Sequence, residues 1–160
     1  MSIRESLINL GVKPSNQKFT AKSELPDEVI PLISVYINSV VFEDDIEFEP
    51  QHKTGLEDSG NKLTLEVLWG VEVGQFNIFT VNESLKNLEA DESLFSIGES
   101  FGGNHICLSK GDGKVYLFVN DSEQNAYLIF NNLEQFVESL NVQGESNTSS
   151  VKASSIQLDF

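Results

Sequence analysis

The chain has 160 residues and a formal net charge of −15, from 25 acidic and 10 basic side chains. Its length suits one domain that can bury roughly 70% of its unfolded surface, and its 39% of hydrophobic residues are enough for a core. The scarcity of Lys and Arg argues against direct nucleic-acid binding, which needs clustered basic side chains, and against binding to an anionic membrane surface. The charge favours either a basic protein partner or a role in solubility alone.

The composition also indicates a cellular compartment. A single cysteine, Cys107, excludes an internal disulfide framework and fits a reducing environment. Residues 1–11 carry charges among their apolar side chains and lack the continuous apolar core of a signal peptide. No stretch approaches the roughly 20 apolar residues that a membrane-spanning helix needs. We therefore predict a cytoplasmic protein that does not associate with a membrane.

The first part of the chain favours two short helices. Ser2 and Glu5 form a capping-box pattern ahead of an apolar helical face, and Gly11 is placed to end that helix. Residues 25–37 carry a second apolar stripe. Pro31 falls within it, and a proline beyond the first turn removes a helical hydrogen bond, so the regular helix is predicted to begin near Pro31.

Residues 40–49 alternate between apolar and acidic side chains, which is typical of a half-buried strand. One side would carry Val40, Phe42, Ile46 and Phe48. The other would carry Glu43, Asp45, Glu47 and Glu49. Asp44 falls on the apolar side and indicates a bulge or turn at Asp44-Asp45. The predicted partner-binding residues are the five carboxylates of this segment, Glu43, Asp44, Asp45, Glu47 and Glu49. A solvated acidic face without a partner is the alternative.

The middle of the chain continues with strand-like and helical patterns. Residues 63–71 alternate again and would bury Leu63, Leu65, Val67 and Trp69. Gly74 marks a turn before the apolar run of residues 76–81. Asn82 is then predicted to cap a short helix that ends near Leu88.

Residues 97–118 contain two turns and a hairpin pattern. Gly102 and Gly103 allow a sharp turn, because glycine adopts positive φ at little steric cost. An apolar run at residues 106–108 and another at 115–119 flank the Gly-Asp-Gly turn of residues 111–113, and two such runs around an Asp-Gly pair predict a β-hairpin.

The remaining elements define the fold class. Ala126–Phe130 is a further predicted strand, and Asn132 with Gln135 opens a last helix. The order of helices and strands is not a regular βαβ alternation. It predicts an α+β domain with a mostly antiparallel sheet flanked by helices.

A change of composition marks the predicted end of this domain. Beyond residue 141 the chain is rich in Gly, Ser, Asn and Thr. We assign residues 1–141 to the single domain and residues 142–160 to a flexible C-terminal tail. Within that tail, Ile156 and Leu158 are candidates for a small docking strand.

The residues that could bind phosphate, bind a metal ion or act in catalysis do not form a known motif. Gly98, Gly102 and Gly103 lack the Gly-Lys-Ser/Thr ending of a phosphate-binding loop and precede a strand rather than a helix. His105 and Cys107 are only half of a zinc site, so a core cysteine beside an edge histidine is the simpler interpretation. Nucleophilic catalysis by Cys107 would need a base and an orienting group that no motif supplies. We predict no catalytic residues, no metal site and no cofactor.

A set of short motifs resembles the SUKH superfamily (the Smi–Knr-like proteins) over roughly residues 20–140. The matching pieces are Leu25-Pro26, Ile97-Gly98, Gly102-Gly103-Asn104, Ile106-Cys107-Leu108, Gly113-Lys114-Val115-Tyr116 and the closing helix of residues 133–140. The resemblance implies a compact single α+β domain. It also implies a bacterial immunity protein that neutralises a polymorphic toxin, often a nuclease, by binding it rather than by catalysis.

The resulting functional prediction is a non-enzymatic protein-binding module of a toxin–immunity pair. The acidic balance agrees with it, since a protein that occupies a nucleic-acid-binding cleft gains from a similar negative charge. One alternative is a regulatory scaffold without a toxin, as in the fungal branch of the superfamily. Another is an enzyme that acts on a small polar substrate. The oligomeric state does not follow from the sequence.

Overall fold

The structure, a computed structural model, describes residues 2–15, 25–72, 77–88, 91–119 and 125–142. The α-helices in these ranges are α1 (Ile3–Asn9), α2 (Ile30–Ile33), α3 (Ile78–Lys86) and α4 (Leu133–Glu138). The strands are β1 (Val40–Phe48), β2 (Leu63–Leu68), β3 (Leu94–Glu99), β4 (His105–Ser109), β5 (Val115–Phe118), β6 (Ala126–Phe130) and β7 (Asn141–Val142). Single 3₁₀ turns lie at Asp27–Val29 and Phe101–Gly103.

The seven strands form one sheet in the order β6-β5-β4-β3-β2-β1-β7, and every neighbouring pair is antiparallel. The sheet curls, so that the chain after β1 reaches β6. The backbone N–H of Gln51 donates to the Ile129 carbonyl at 2.9 Å, and the Gln51 side chain accepts from the Asn131 N–H at 2.9 Å. The predicted α+β class with an antiparallel sheet and flanking helices is confirmed.

Helix ends follow the local signals at both termini of the domain. Ser2 and Glu5 make the predicted capping box, and Asn132 accepts from the Gln135 N–H at 2.8 Å at the start of α4. The second helix is much shorter than its apolar stripe. It begins at Ile30 with Pro31 in its first turn, where the missing N–H costs no helical hydrogen bond.

Helix α3 begins earlier than predicted. Asn77, not Asn82, is its N-cap, and its side chain accepts from the N–H groups of Phe79 and Thr80, both at 2.9 Å. Residues 78–81 of the apolar run are therefore helical rather than strand-like. Asn82 lies inside the helix and is buried. Its amide donates to the Ile78 carbonyl in the first turn of α3 at 2.8 Å, and it also bonds with the backbone of Ser96 on β3.

Two features of the sheet differ from the alternating pattern. In β2, Leu68 is buried and Val67 is only half-buried, so the alternation changes phase after Leu65. Strand β3 was not predicted, since Ser96 and Gly98 interrupt its apolar pattern. Gly98 is required there: a Cβ at this position would collide with the Val67 carbonyl oxygen on β2.

The turns of residues 97–118 are confirmed. Gly102 and Gly103 have φ values of 66° and 76°, which glycine alone adopts without strain. Strands β4 and β5 pair as the predicted hairpin, with Cys107 opposite Tyr116. The intervening turn is held from outside the hairpin, because the Gly111 N–H donates to the Glu28 carboxylate at 2.9 Å.

The main core includes an aromatic cluster where the sheet curls. Phe48 of β1, Phe130 of β6 and Phe136 of α4 have ring centroids 5.3–5.8 Å apart. Val142 belongs to β7, where it pairs with Ile46. The rest of the predicted tail, with Ile156 and Leu158, lies outside the described residues.

Candidate functional site

The acidic segment of β1 forms a wide bulge. Val41 pairs with Val67 and Ile46 pairs with Leu65, so the four residues 42–45 lie opposite Glu66 alone. A bulge bends the strand and frees its side chains from the regular alternation. The predicted irregularity at Asp44-Asp45 is therefore present, and it is wider than the pattern indicated.

The bulge changes where the five carboxylates lie. Three consecutive ones, Glu43, Asp44 and Asp45, are exposed, and Asp44 does not lie on the buried side. Glu49 is exposed just after the strand, whereas Glu47 is half-buried and pairs with Thr64 on one side and Asn141 on the other. The structure therefore groups Glu43, Asp44 and Asp45 on one protruding segment, and we call these three residues the acidic bulge.

The second half of β1 anchors the acidic bulge to the core. Ile46 is 2% exposed and Phe48 is fully buried within the aromatic cluster. Val40 and Phe42, predicted on the same apolar side, are only half-buried. The strand is thus firmly packed at one end, and its acidic part projects from that fixed end.

Two further carboxylates lie near the bulge in the sheet. Glu66 faces the bulge from β2, and Glu99 of β3 lies opposite Val67. Burial, and then the negative charge of Glu66, raise the pKa of Glu99. The sequence pattern does not indicate this extension, because the proximity of Glu66 and Glu99 depends on the pairing of β2 with the unpredicted β3.

A cleft of about 710 Å³ adjoins the bulge and is lined by residues 10–15, 36–44 and Ile46. Tyr36 forms part of its wall. The Tyr36 side chain is 2% exposed, and its hydroxyl has no hydrogen-bond partner among the described residues. Burial, together with the charge of Glu72, raises the Tyr36 pKa, so the hydroxyl keeps its proton and remains a donor.

The wall of the cleft is held by backbone contacts. The Ser39 N–H donates to the Glu72 carboxylate at 2.9 Å, and the Gly70 N–H donates to the Ser39 hydroxyl at 2.8 Å. Gly70 also packs directly on the backbone of residues 37–39. The position of Tyr36 and the start of β1 therefore depends on residues about thirty positions later in the chain.

The residues considered for metal binding or nucleophilic catalysis lie in a different part of the sheet. Cys107 is fully buried, which confirms a core cysteine, and burial raises the pKa of its thiol. The prediction of an edge histidine is wrong, because β4 is paired with a strand on both sides. Within the described residues, no three His, Cys, Asp or Glu side chains are grouped so that they could hold a metal ion.

His105 instead takes part in a buried polar network that the sequence did not indicate. Its Nδ1 lies 2.9 Å from the Ser96 hydroxyl, which accepts from the Trp69 indole N–H at 3.1 Å. The Asn82 side chain donates to the Ser96 carbonyl at 2.9 Å and accepts from its N–H. These bonds join α3, β3 and β4, and such buried networks specify one packing arrangement because an unpaired member is costly.

The half-buried His105 leads to a prediction about pH. Burial lowers its pKa, so below about pH 6.5 the unfolded chain takes up the proton more readily than the folded chain. The unfolding free energy should therefore decrease as the pH falls from 8 to 5.5, down to the lowered pKa of the folded state. Urea unfolding of the wild type and of His105→Gln at several pH values measures this, and the variant should show the weaker pH dependence. Parallel profiles for the two proteins would contradict the assignment.

Across the ranges that the structure describes, no helix has both the length and the apolar character needed to cross a membrane.

The comparisons with known proteins agree with the fold. A curled antiparallel sheet with four short helices in the described ranges defines a single α+β domain of the SUKH type. The model of the SMI1 / KNR4 family (SUKH-1) matches residues 24–139, which is more than half of the chain. The chain belongs to the SMI1 / KNR4 family (SUKH-1). Proteins of this family are generally non-enzymatic immunity or regulatory proteins. Neither a curated protein nor a solved structure matches the chain significantly.

Proposed function

We propose that this protein is a bacterial immunity protein that binds and neutralises a basic toxin domain in the cytoplasm, through the acidic segment of β1 and without catalysis. Membership of the SUKH-1 family supports the class. The observation that carries the site is the acidic bulge, in which Glu43, Asp44 and Asp45 are exposed side by side. Glu47 and Glu49 continue the same acidic segment.

The charge arrangement supports binding rather than stability. Adjacent like charges repel one another, so three neighbouring carboxylates do not favour the folded state. A basic surface that approaches the bulge relieves this repulsion and is attracted before contact, which raises the association rate. A nuclease domain presents such a surface, because its substrate is a polyanion.

The burial of the thiol supports action without catalysis. A cysteine nucleophile acts as the thiolate, whereas Cys107 is fully buried and its pKa is raised. The nearby His105 is held by Ser96 in a structural network. The chain therefore neutralises its target by occupying a surface.

The first test uses the product of the neighbouring gene. We expect that gene to encode a toxin domain, whose expression in a bacterial host stops growth unless this protein is co-expressed. The two proteins should also co-purify. Growth that is not restored, with the toxin domain and this protein both produced, would contradict the proposed function.

A charge-reversal variant then tests the site. Glu43→Lys, Asp44→Lys and Asp45→Lys together should slow association with the toxin domain at least about tenfold at low salt and remove most of its salt dependence. Glu47 is left unchanged because it is half-buried between two strands. Stopped-flow mixing at several salt concentrations measures both quantities.

A matched control separates the effect of the acidic bulge on association from the effect of the overall net charge. Glu83, Glu92 and Glu134 are exposed carboxylates on α3, before β3 and on α4, and their reversal to Lys moves the net charge by the same amount, from −15 to −9. This control should associate at close to the wild-type rate. Equal slowing in the two variants would show that overall charge, and not the acidic bulge, governs binding, and would direct attention to the loops around Gly55 and Gly102.

A further inference from the structure

Within the residues that the structure describes, only part of the outer edge of β1 has a strand partner. The edge strand β7 is two residues long and pairs with Ile46 and Glu47. Along the same side, residues 40–45 of β1 have no strand partner within the described ranges. A sheet edge of this kind presents backbone donors and acceptors to which another extended segment can bond.

The space beside this edge is suited to a further strand. The cleft of about 710 Å³ runs along residues 36–44, and the buried Tyr36 hydroxyl in its wall is a donor without a partner among the described residues. Val41, on the uncovered part of the strand, is 72% exposed, the highest value among the large apolar side chains that the structure describes as exposed. The edge therefore offers backbone hydrogen bonds and an apolar contact together.

The negative charge at this edge determines which kind of segment can bind there. Glu43, Asp44 and Asp45 border it, so a second copy of this chain, with its net charge of −15, would be repelled. Residues 143–160 of the same chain carry Glu145 and Asp159 against the single Lys152, so they do not complement the edge either. An extended segment rich in Lys or Arg does complement it.

We propose that β1 binds its partner by strand addition: an extended basic segment of the partner pairs with the backbone of residues 40–45, beyond the end of β7. Val41 packs against the apolar side chains of this segment, and the acidic bulge contacts its basic ones. This inference rests on the proposed function, because it describes how the same acidic segment of β1 recognises the partner.

The experiment uses the full chain and a synthetic probe. The probe is a blocked seven-residue peptide of alternating lysine and valine, and the control peptide has the same sequence with every backbone nitrogen methylated. Methylation keeps the charge and removes the amide donors that a strand needs. We expect the unmodified peptide to bind at least about tenfold more tightly and to slow hydrogen exchange of amides within residues 41–45. Equal affinities for the two peptides, or unchanged exchange in this segment, would overturn strand addition.

A substitution tests where on the protein the peptide binds. Val41→Ser should weaken binding of the unmodified peptide about tenfold, because the exposed valine loses its apolar contact, and its high exposure means that folding is little affected. Leu56→Ser is the matched control, since Leu56 is an exposed apolar residue in the loop after β1 and should leave the affinity unchanged. Equal loss in both variants, or none in Val41→Ser, would overturn the placement. Slow exchange at residues 41–45 in the free protein would also overturn it, because the edge would already be covered.

The outcomes distinguish this inference from the proposed function. If both peptides bind with the same affinity, the acidic segment attracts basic chains through charge alone and strand addition is wrong. The proposed toxin-binding surface is not contradicted by that result. If the toxin domain is not neutralised in the growth test, the proposed function is wrong, whatever the peptides do.

Discussion

Replacing Phe136 with alanine is expected to lower the unfolding free energy by about 3–5 kcal/mol, the typical cost of removing a buried aromatic ring. Phe136 is fully buried, and its ring lies 5.3 Å from that of Phe48 and 5.5 Å from that of Phe130. It therefore joins α4 to two strands, β1 and β6, that are far apart in the order of the sheet. The cavity left by alanine would weaken the packing at which the sheet curls.

Urea unfolding, followed by the fluorescence of Trp69 or by circular dichroism, measures this loss. Phe136→Leu keeps most of the apolar volume and should cost clearly less. Leu88→Ala is the exposed control, since Leu88 is 36% exposed, and it should change stability by at most about 0.5 kcal/mol. A loss below about 1 kcal/mol for Phe136→Ala would show that the aromatic cluster does not hold the curled sheet together.

Replacing Gly70 with alanine is expected to cost about 3 kcal/mol or more, at the upper end of the range for overpacking. A Cβ at this position would lie 2.5 Å from the carbonyl carbon of Asn38 and from the nitrogen of Ser39, and closer still to the Ile37 carbonyl oxygen. All three atoms belong to the backbone and cannot rotate away as a side chain would. The segment before β1 would have to move, and the cleft wall would move with it.

Gly60→Ala is the matched control for this substitution. The nearest atom to a Cβ at Gly60 is the Asp58 carboxylate oxygen at 3.5 Å, an ordinary contact. We expect a change of at most about 0.5 kcal/mol there. Gly70→Ala should also alter the amide resonances of residues 37–39 in a two-dimensional NMR spectrum, whereas Gly60→Ala should leave them unchanged. Equal stabilities for the two variants would contradict the close backbone approach.

The parts of the fold that the sequence predicted correctly depend on neighbours in the chain. The capping box of Ser2 and Glu5 and the cap at Asn132 need side chains only three residues apart. The turn at Gly102-Gly103 and the hairpin of β4 and β5 follow from local backbone preferences. In each case the favourable interaction is complete before any distant segment arrives, so the pattern alone is informative.

The errors arose where a distant partner outweighs the local pattern. Asn77 and Asn82 are both good caps, and the prediction of Asn82 is wrong because this side chain bonds with Ser96 on strand β3, fourteen residues later in the chain. Strand β3 was missed because its Ser96 and Gly98 look unsuited to a strand. The Ser96 hydroxyl is nevertheless hydrogen-bonded to Trp69 and His105. Gly98 suits the strand because β2 lies too close to leave room for a Cβ.

The same distinction between local and distant interactions applies to the candidate site. The acidic strand within residues 40–49, with its irregularity at Asp44-Asp45, is predictable from the sequence because alternation is a property of consecutive residues; the strand itself is Val40–Phe48. The exposure of Glu43, Asp44 and Asp45 as one group depends on tertiary structure. So do the pairing of only Ile46 and Glu47 with β7 within the described residues, and the cleft lined by Tyr36 beside that edge. Strand register, edge pairing and cleft walls are set by segments about fifteen to a hundred residues away, and a local pattern contains no information on contacts with such distant segments.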